Sequence, residues 1–293
     1  MKILMAFLAG GLLAAQTGPP QTAPPPTPPD VSAIMKQVGQ NQTRAEARRR
    51  EFVYTQKQLL RLIRPNGKVA REEHREYTVV PRPKRVQKKL VRFEGKYEAK
   101  GKYVSYDHPD YHYKGVDIDG DLINSLSEDL TNDSNSRDGI STNLFPLTEK
   151  AIPHYSFQLA GTETYRGRAV YRVHFEPAPH QHLLDEDEGD GIWKGDALID
   201  VAELEPVSVQ TSLALKIPVA VKILLGTNIS GLGYSITYEK FDDGVWFPVS
   251  YGGEFKVRGL FLYQRTMTVS LVNGDFKKQD VNSSIAFMDD GKQ

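Results

Sequence analysis

Apolar and polar positions alternate along much of this chain with a period of two, the pattern of half-buried β-strands. The alternation is clearest near the C-terminus. In Ile192–Asp200, Trp193, Gly195, Ala197 and Ile199 share one face, against Lys194, Asp196, Leu198 and Asp200. In Leu260–Leu271, Phe261, Tyr263, Met267, Val269 and Leu271 line one face, and Gln264, Thr266, Thr268 and Ser270 the other. Val207–Ile217, Gly233–Phe241 and Val245–Arg258 read as further strands of the same meander. Upstream, Glu51–Ile63 and Lys68–Val80 flank Pro65-Asn66-Gly67, a strong hairpin signal. Arg85–Phe93 and Lys96–Tyr106 are predicted to turn around Glu94-Gly95-Lys96, and Tyr155–Glu163 and Ala169–Glu176 around Tyr165-Arg166-Gly167-Arg168. The segment Val69–Val80 carries charge on both faces and reads as a solvent-facing or edge strand.

Two stretches change to helical period. Val31, Ile34, Met35 and Val38 form one apolar stripe behind Asp30, a candidate N-cap, and the helix ends in Arg48-Arg49-Arg50, where cations suit its dipole. In Asp117–Asn132, Leu122, Ile123, Leu126 and Leu130 fall on one face, with Asp119 or Asp121 as the cap. About eleven strands joined by hairpins, with helices inserted rather than alternating, predict an α+β fold: an incomplete, half-open antiparallel β-barrel with helices over its concave face.

The ends add location. Residues 1–15 pair a basic Lys2 with an unbroken apolar run and small residues at Ala14-Ala15, which reads as a secretory signal peptide. The run falls short of the roughly 20 apolar residues a membrane span needs. Residues 16–30 are Pro-rich and form a semi-rigid tether, leaving 31–293 as a single β-domain. The chain has no cysteine, so it lacks disulfides, a thiol nucleophile and a lipid-accepting Cys after the apolar run. Together these predict a periplasmic or secreted protein with no transmembrane span after cleavage. Lysine plus arginine balances aspartate plus glutamate, so no global field points to nucleic acid or anionic lipid.

Catalytic signatures are missing. There is no G-x-S-x-G, no H-E-x-x-H and no phosphate-binding glycine loop. A hydrolase with carboxylates that leave no linear signature stays as a weak alternative. Asp185, Asp187, Asp190 and Gly191 resemble a Ca²⁺ loop, but the closing Glu is missing and an acidic loop is the better reading. The pairs His108/His112 and His180/His182 have no third ligand nearby in sequence. No cofactor or metal is predicted. Ile217–Leu232 is the most apolar segment of the domain, a mouth, a lid or buried core. Arg265 falls on the apolar face of the last strand, where a charge needs a partner: a ligand head group, or a carboxylate such as Glu254 or Glu239.

Tyr165–Val173 (YRGRAVYRV), Trp193–Asp200 (WKGDALID) and Tyr238–Phe255 (YEKFDDGVWFPVSYGGEF), in this order behind an amphipathic helix and a long hairpin, carry a resemblance. The chain resembles the LolA-type periplasmic lipoprotein carriers and the outer-membrane lipoprotein-sorting-like proteins over about Val31 to Phe287. It departs from them by insertions at Asp107–Pro146 and Ile217–Leu232. The resemblance implies an unclosed barrel whose concave apolar side receives acyl chains. The expected lining is Trp193, Ile199, Tyr238, Trp246, Phe247, Phe261, Tyr263, Arg265 and Met267, and the expected guest a lipid or lipidated protein. The alternative is an envelope protein-interaction or sensor module working through edge pairing of Val69–Val80.

Overall fold

The computed structural model describes residues 29–82, 86–131, 136–138, 140–141, 145–179, 193–214, 228–241, 243–258 and 262–279. The chain opens with helix α1 (Val31–Arg49), then strands β1 (Phe52–Ile63), β2 (Val69–Pro81), β3 (Val86–Ala99) and β4 (Lys102–Tyr106). Helix α2 (Ile118–Thr131) follows, with a two-stranded ribbon of β5 (Ser136–Arg137) and β6 (Ile140–Ser141). Next come β7 (Tyr155–Tyr165), β8 (Arg168–Pro177), β9 (Trp193–Asp200), β10 (Pro206–Leu213), β11 (Asn228–Lys240), β12 (Trp246–Arg258) and β13 (Gln264–Lys278). Apart from the ribbon, the strands form one eleven-stranded antiparallel sheet in the order β4-β3-β2-β1-β13-β12-β11-β10-β9-β8-β7, with β4 and β7 at its edges.

The sheet is not closed, but it curls. β8 and β12 lie four places apart, about 19 Å in a flat sheet at ~4.8 Å per strand. Yet the Arg168 guanidinium sits 5.0 Å from the centre of the Trp246 ring. Both helices pack on the inner side of the curl: α1 against β7 and β12, α2 against β1 and β2. The chain therefore crosses the concave face between its two edges, leaving β4 and entering β7 by way of α2 and the 3-10 turn Ile152–His154.

Asp30 caps α1 as its sequence predicts, its Oδ1 accepting from Ser32 N at 2.9 Å, and Ile34, Met35 and Val38 are buried against the sheet. The arginine run is more than a solvated helix end. Arg49 is buried, donating to the Trp246 carbonyl at 2.9 Å and pairing with Asp138 at 2.8 Å. Arg48 donates to the Asp243 carbonyl at 2.6 Å, and Asn41 donates to the carbonyls of Glu203 and Leu204. With Trp246 Nε1 donating to Glu203 at 3.0 Å, these bonds lock the helix into the β9–β10 and β11–β12 turns and seal that end of the curl.

Two expectations about the first hairpins are corrected. The sheet order puts β2 between β1 and β3, both of its edges paired, so it is not an edge strand. The turn expected at Glu94-Gly95-Lys96 does not exist, because β3 runs through it. Gly95 lies under the ring of Tyr106, its cross-strand partner, and a Cβ there would come within 2.3 Å of that ring. The glycine makes room for an aromatic ring. The real turn is Lys100-Gly101, both at positive φ, as a two-residue hairpin requires.

Candidate functional site

The register places the inner face row by row. Met267 of β13 lies beside Leu62 of β1, then Arg71 of β2 and Tyr97 of β3. The next row is Val269, Leu60, Glu73 and Gly95, and the next Leu271, Gln58, Arg75 and Phe93. Below it come Asn273, Gln56, Tyr77 and Leu90. The concave face is thus divided: mostly apolar from β13 to β7, with a polar patch centred on Arg71, Glu73 and Arg75 of β2 and reaching Gln56 and Gln58 of β1.

The apolar half holds most of the expected lining. Trp193, Ile199, Tyr238, Trp246 and Met267 are all buried in one cluster with Tyr234, Tyr251 and Phe255. Trp193 meets Tyr234 edge-on, with ring centres 4.7 Å apart, and Tyr234 stacks on Tyr251 at 5.4 Å. Burial pushes the hydroxyls of Tyr234 and Tyr251 above the ordinary tyrosine range, since a phenolate there would be desolvated. Phe247 is placed elsewhere: next to Trp246 in an extended strand, it enters a separate cluster with Phe52 and Val245. Phe261 and most of Ile217–Leu232 lie outside the described residues, as do His180, His182 and the acidic loop 185–191.

The polar half is a buried charge network that the sequence reading missed. Arg71 and Glu73 are fully buried, and Asp117 and Arg75 nearly so. Glu73 accepts from Arg71 Nε at 3.2 Å, Arg75 Nε at 2.8 Å and the Tyr106 hydroxyl at 2.6 Å. Arg71 reaches Asp117 at 2.7 Å and the Tyr111 carbonyl at 2.6 Å, and Arg75 reaches Ser127 at 2.9 Å and Asn124 at 2.7 Å. Two cations balance two anions, which is what lets them be buried at all. Burial lowers the affinity of each guanidinium for its proton, but the facing carboxylates outweigh that, and both arginines stay charged. The signal was present as Arg-Glu-Arg at alternate positions, opposite charges sharing one face of a strand.

The network fastens α2. Asp117, not Asp119 or Asp121, caps the helix, its Oδ1 accepting from Gly120 N at 3.1 Å. Asp119 is thereby free to meet Arg265 in a two-pronged pair at 2.9 and 3.0 Å, and to accept from the Tyr263 hydroxyl at 2.8 Å. Arg265 therefore answers to Asp119 rather than Glu254 or Glu239. Asp121 takes His112 at 2.7 Å and His108 lies against Asp107. Among the described residues no three His, Asp or Glu side chains come together to hold a metal ion. Beneath α2, Leu122 and Ile123 are buried in the main apolar cluster. The arrangement is a curled apolar surface under a helix whose outer fastenings are polar.

No family model and no curated protein matches the chain. Among solved structures, it is similar to a domain assigned to outer membrane lipoprotein sorting from Vibrio parahaemolyticus, at 10% identity and TM-score 0.36, over 85% of this chain and 95% of that one. It is also similar to a LolA superfamily protein from Nitrosomonas europaea, at 12% identity and TM-score 0.33, over 85% of this chain and 93% of that one. Among the described residues no helix is long and apolar enough to cross a membrane.

Proposed function

We propose that this chain is an exported binding protein that holds a hydrophobic guest, a lipid or a lipoprotein acyl chain, against the concave face of its sheet. Residues 1–15 act as the export signal and 16–30 as a tether, so the domain from residue 31 works in the periplasm or outside the cell. The single observation that carries this reading is the construction of the cover. α2 contributes Leu122 and Ile123 to the apolar cluster, while its links to the sheet through Asp117, Asp119, Asn124 and Ser127 are polar. A helix so held can leave the face without disturbing the strand pairing beneath it.

The apolar part of such an exchange balances. Two buried aliphatic side chains are worth about 1.5–3 kcal/mol each, and a buried methylene about 0.8 kcal/mol. An acyl chain burying roughly eight methylenes offsets the loss of Leu122 and Ile123. The polar groups released by α2 would turn to water or to the guest's head group. Trp193, Ile199, Tyr238, Trp246 and Met267 would line the guest's path, with Tyr263 and Arg265 at its polar border.

Native mass spectrometry of gently purified protein tests this, together with uptake of a fluorescent fatty acid. Lipid co-purifying with the protein, and uptake strengthened by Asp119→Asn, is the expected result. Protein that carries no lipid and takes up no probe in either form overturns the reading.

A further inference from the structure

Of seven strongly exposed large hydrophobic side chains among the described residues, five lie between positions 91 and 116: Val91, Tyr103, Val104, Tyr113 and Val116. The topology gathers them along one rim. β4 is the edge strand and pairs only with residues 95–99 of β3, so the earlier part of β3, with Val91, continues the same rim. Tyr113 stacks on Tyr97 at 4.8 Å, which brings the loop after β4 alongside Val104, the partner of Tyr97. Val116 is 69% exposed and Tyr103 54%, values that burial in the core does not explain.

The same rim is basic. Residues 86–106 carry six lysines and arginines against two glutamates, in a chain with no net charge; Lys88 turns inward to Gln56 and Lys96 pairs with Glu72, leaving Lys89, Arg92, Lys100 and Lys102 along the rim. Both glutamates are engaged, Glu94 by Arg92 and Glu98 by Arg64. Lys100 and Lys102 stand exposed at the hairpin tip, and Lys114 lies 4.8 Å over the ring of Tyr113. Asp107 and Asp110 in the following loop are the opposing charges.

We infer that this rim is a docking surface for an anionic phospholipid bilayer. Tyrosine presents an apolar body with a polar tip, and lysine an apolar stem with a cationic head, so both suit the boundary between acyl chains and head groups. Lys96 lies 5.6 Å from the centre of the Tyr103 ring and Lys114 4.8 Å from that of Tyr113, so apolar bodies and cations stand together along the edge, which matches a charged planar surface. The inference concerns the β4 edge of the sheet, away from the apolar cluster of Trp193, Tyr238 and Trp246, and it stands whether or not that cluster takes a guest.

The test is co-sedimentation of the mature chain with phosphatidylcholine vesicles and with vesicles containing phosphatidylglycerol. Binding is expected only to the latter, and it should weaken with added salt. Neutralising two membrane-facing lysines with Lys100→Gln and Lys102→Gln should reduce it by about thirtyfold. Tyr103→Ser with Val116→Ser should also weaken it, while Lys36→Gln with Lys256→Gln, exposed positions elsewhere, should leave it unchanged. Thermal melts of all variants confirm that each is folded. The inference is overturned by absence of binding, by equal binding to both vesicle types, or by loss with the control pair equal to loss with the rim lysines.

Discussion

Glu72 shows how one side chain can set the acid limit of a sheet. It lies on the convex face of β2, and Arg61, Lys96 and His74 reach it at 2.5, 2.7 and 3.1 Å. Its burial works to raise the carboxyl pKa, but hydrogen bonds from Lys96, Arg61 and His74 prevail and bring it from 4.5 to about 2. A carboxylate held lower in the folded state stabilises the fold fully above its unfolded pKa, and that stability is lost as pH falls from about 4.5 towards 2. The three partners are partly exposed, so screening leaves about 1–2 kcal/mol of the gain. In urea titrations, wild type should exceed Glu72→Gln by that amount near neutral pH, and the two should converge as pH approaches about 2. A constant difference across the range would rule out this account. On the opposite face of the same strand, Arg71, Glu73 and Arg75 were legible as a set of alternating charges. Their burial was not legible, because what covers them is α2, more than forty residues downstream in a register that no local pattern encodes.

At the scale of elements, strands with one apolar face were readable and strands with a polar inner face were not. β9 and β13 announce their buried sides through Trp193, Ala197 and Ile199, and through Met267, Val269 and Leu271. β1 changes from Leu60 and Leu62 to Gln56 and Gln58 along the same buried face, so its alternation of chemistry fails although its alternation of burial holds. Glycine was read as a turn former at Gly95, while Gly101 was placed inside the expected strand Lys96–Tyr106. The structure reverses the two: Gly101 makes the turn, with φ at +79°, and the need at Gly95 is space for a ring from the neighbouring strand. This predicts a contrast. Gly95→Ala forces the Tyr106 ring away from Glu73 and Arg71 and should cost about 1–3 kcal/mol through overpacking. Gly101→Ala meets no atom and should cost only the backbone strain of a left-handed alanine, about 1–2 kcal/mol, with no shift of any neighbour. Urea midpoints of the two variants measure it, and a Gly95→Ala protein as stable as wild type would refute the ring-seat explanation.

For the whole molecule, the order in which strands pair matters more than their number. The last strand in sequence is an interior one in space: β13 joins β1 to β12, with Phe52 opposite Lys278 and Val257 opposite Arg265. It also supplies Arg265 to α2 and Met267, Val269 and Leu271 to the apolar cluster. Without it the sheet parts into a four-stranded piece, β4 to β1, whose inner face carries the charges of Arg71, Glu73 and Arg75, and a six-stranded piece, β12 to β7. Neither retains the opposite half that buries its face, and only α1, α2 and their connections would link them. Removing residues 264–279 should therefore abolish cooperative unfolding of the entire domain, instead of trimming a frayed edge. Trp193 and Trp246 report on this directly, since they are the only tryptophans and both sit in the apolar cluster. Their fluorescence should be red-shifted without denaturant in the truncated chain and should change gradually with urea. A sharp transition at the full-length midpoint would mean that the two pieces fold on their own, and that the pairing of first and last strands is an accessory to the fold instead of its closure.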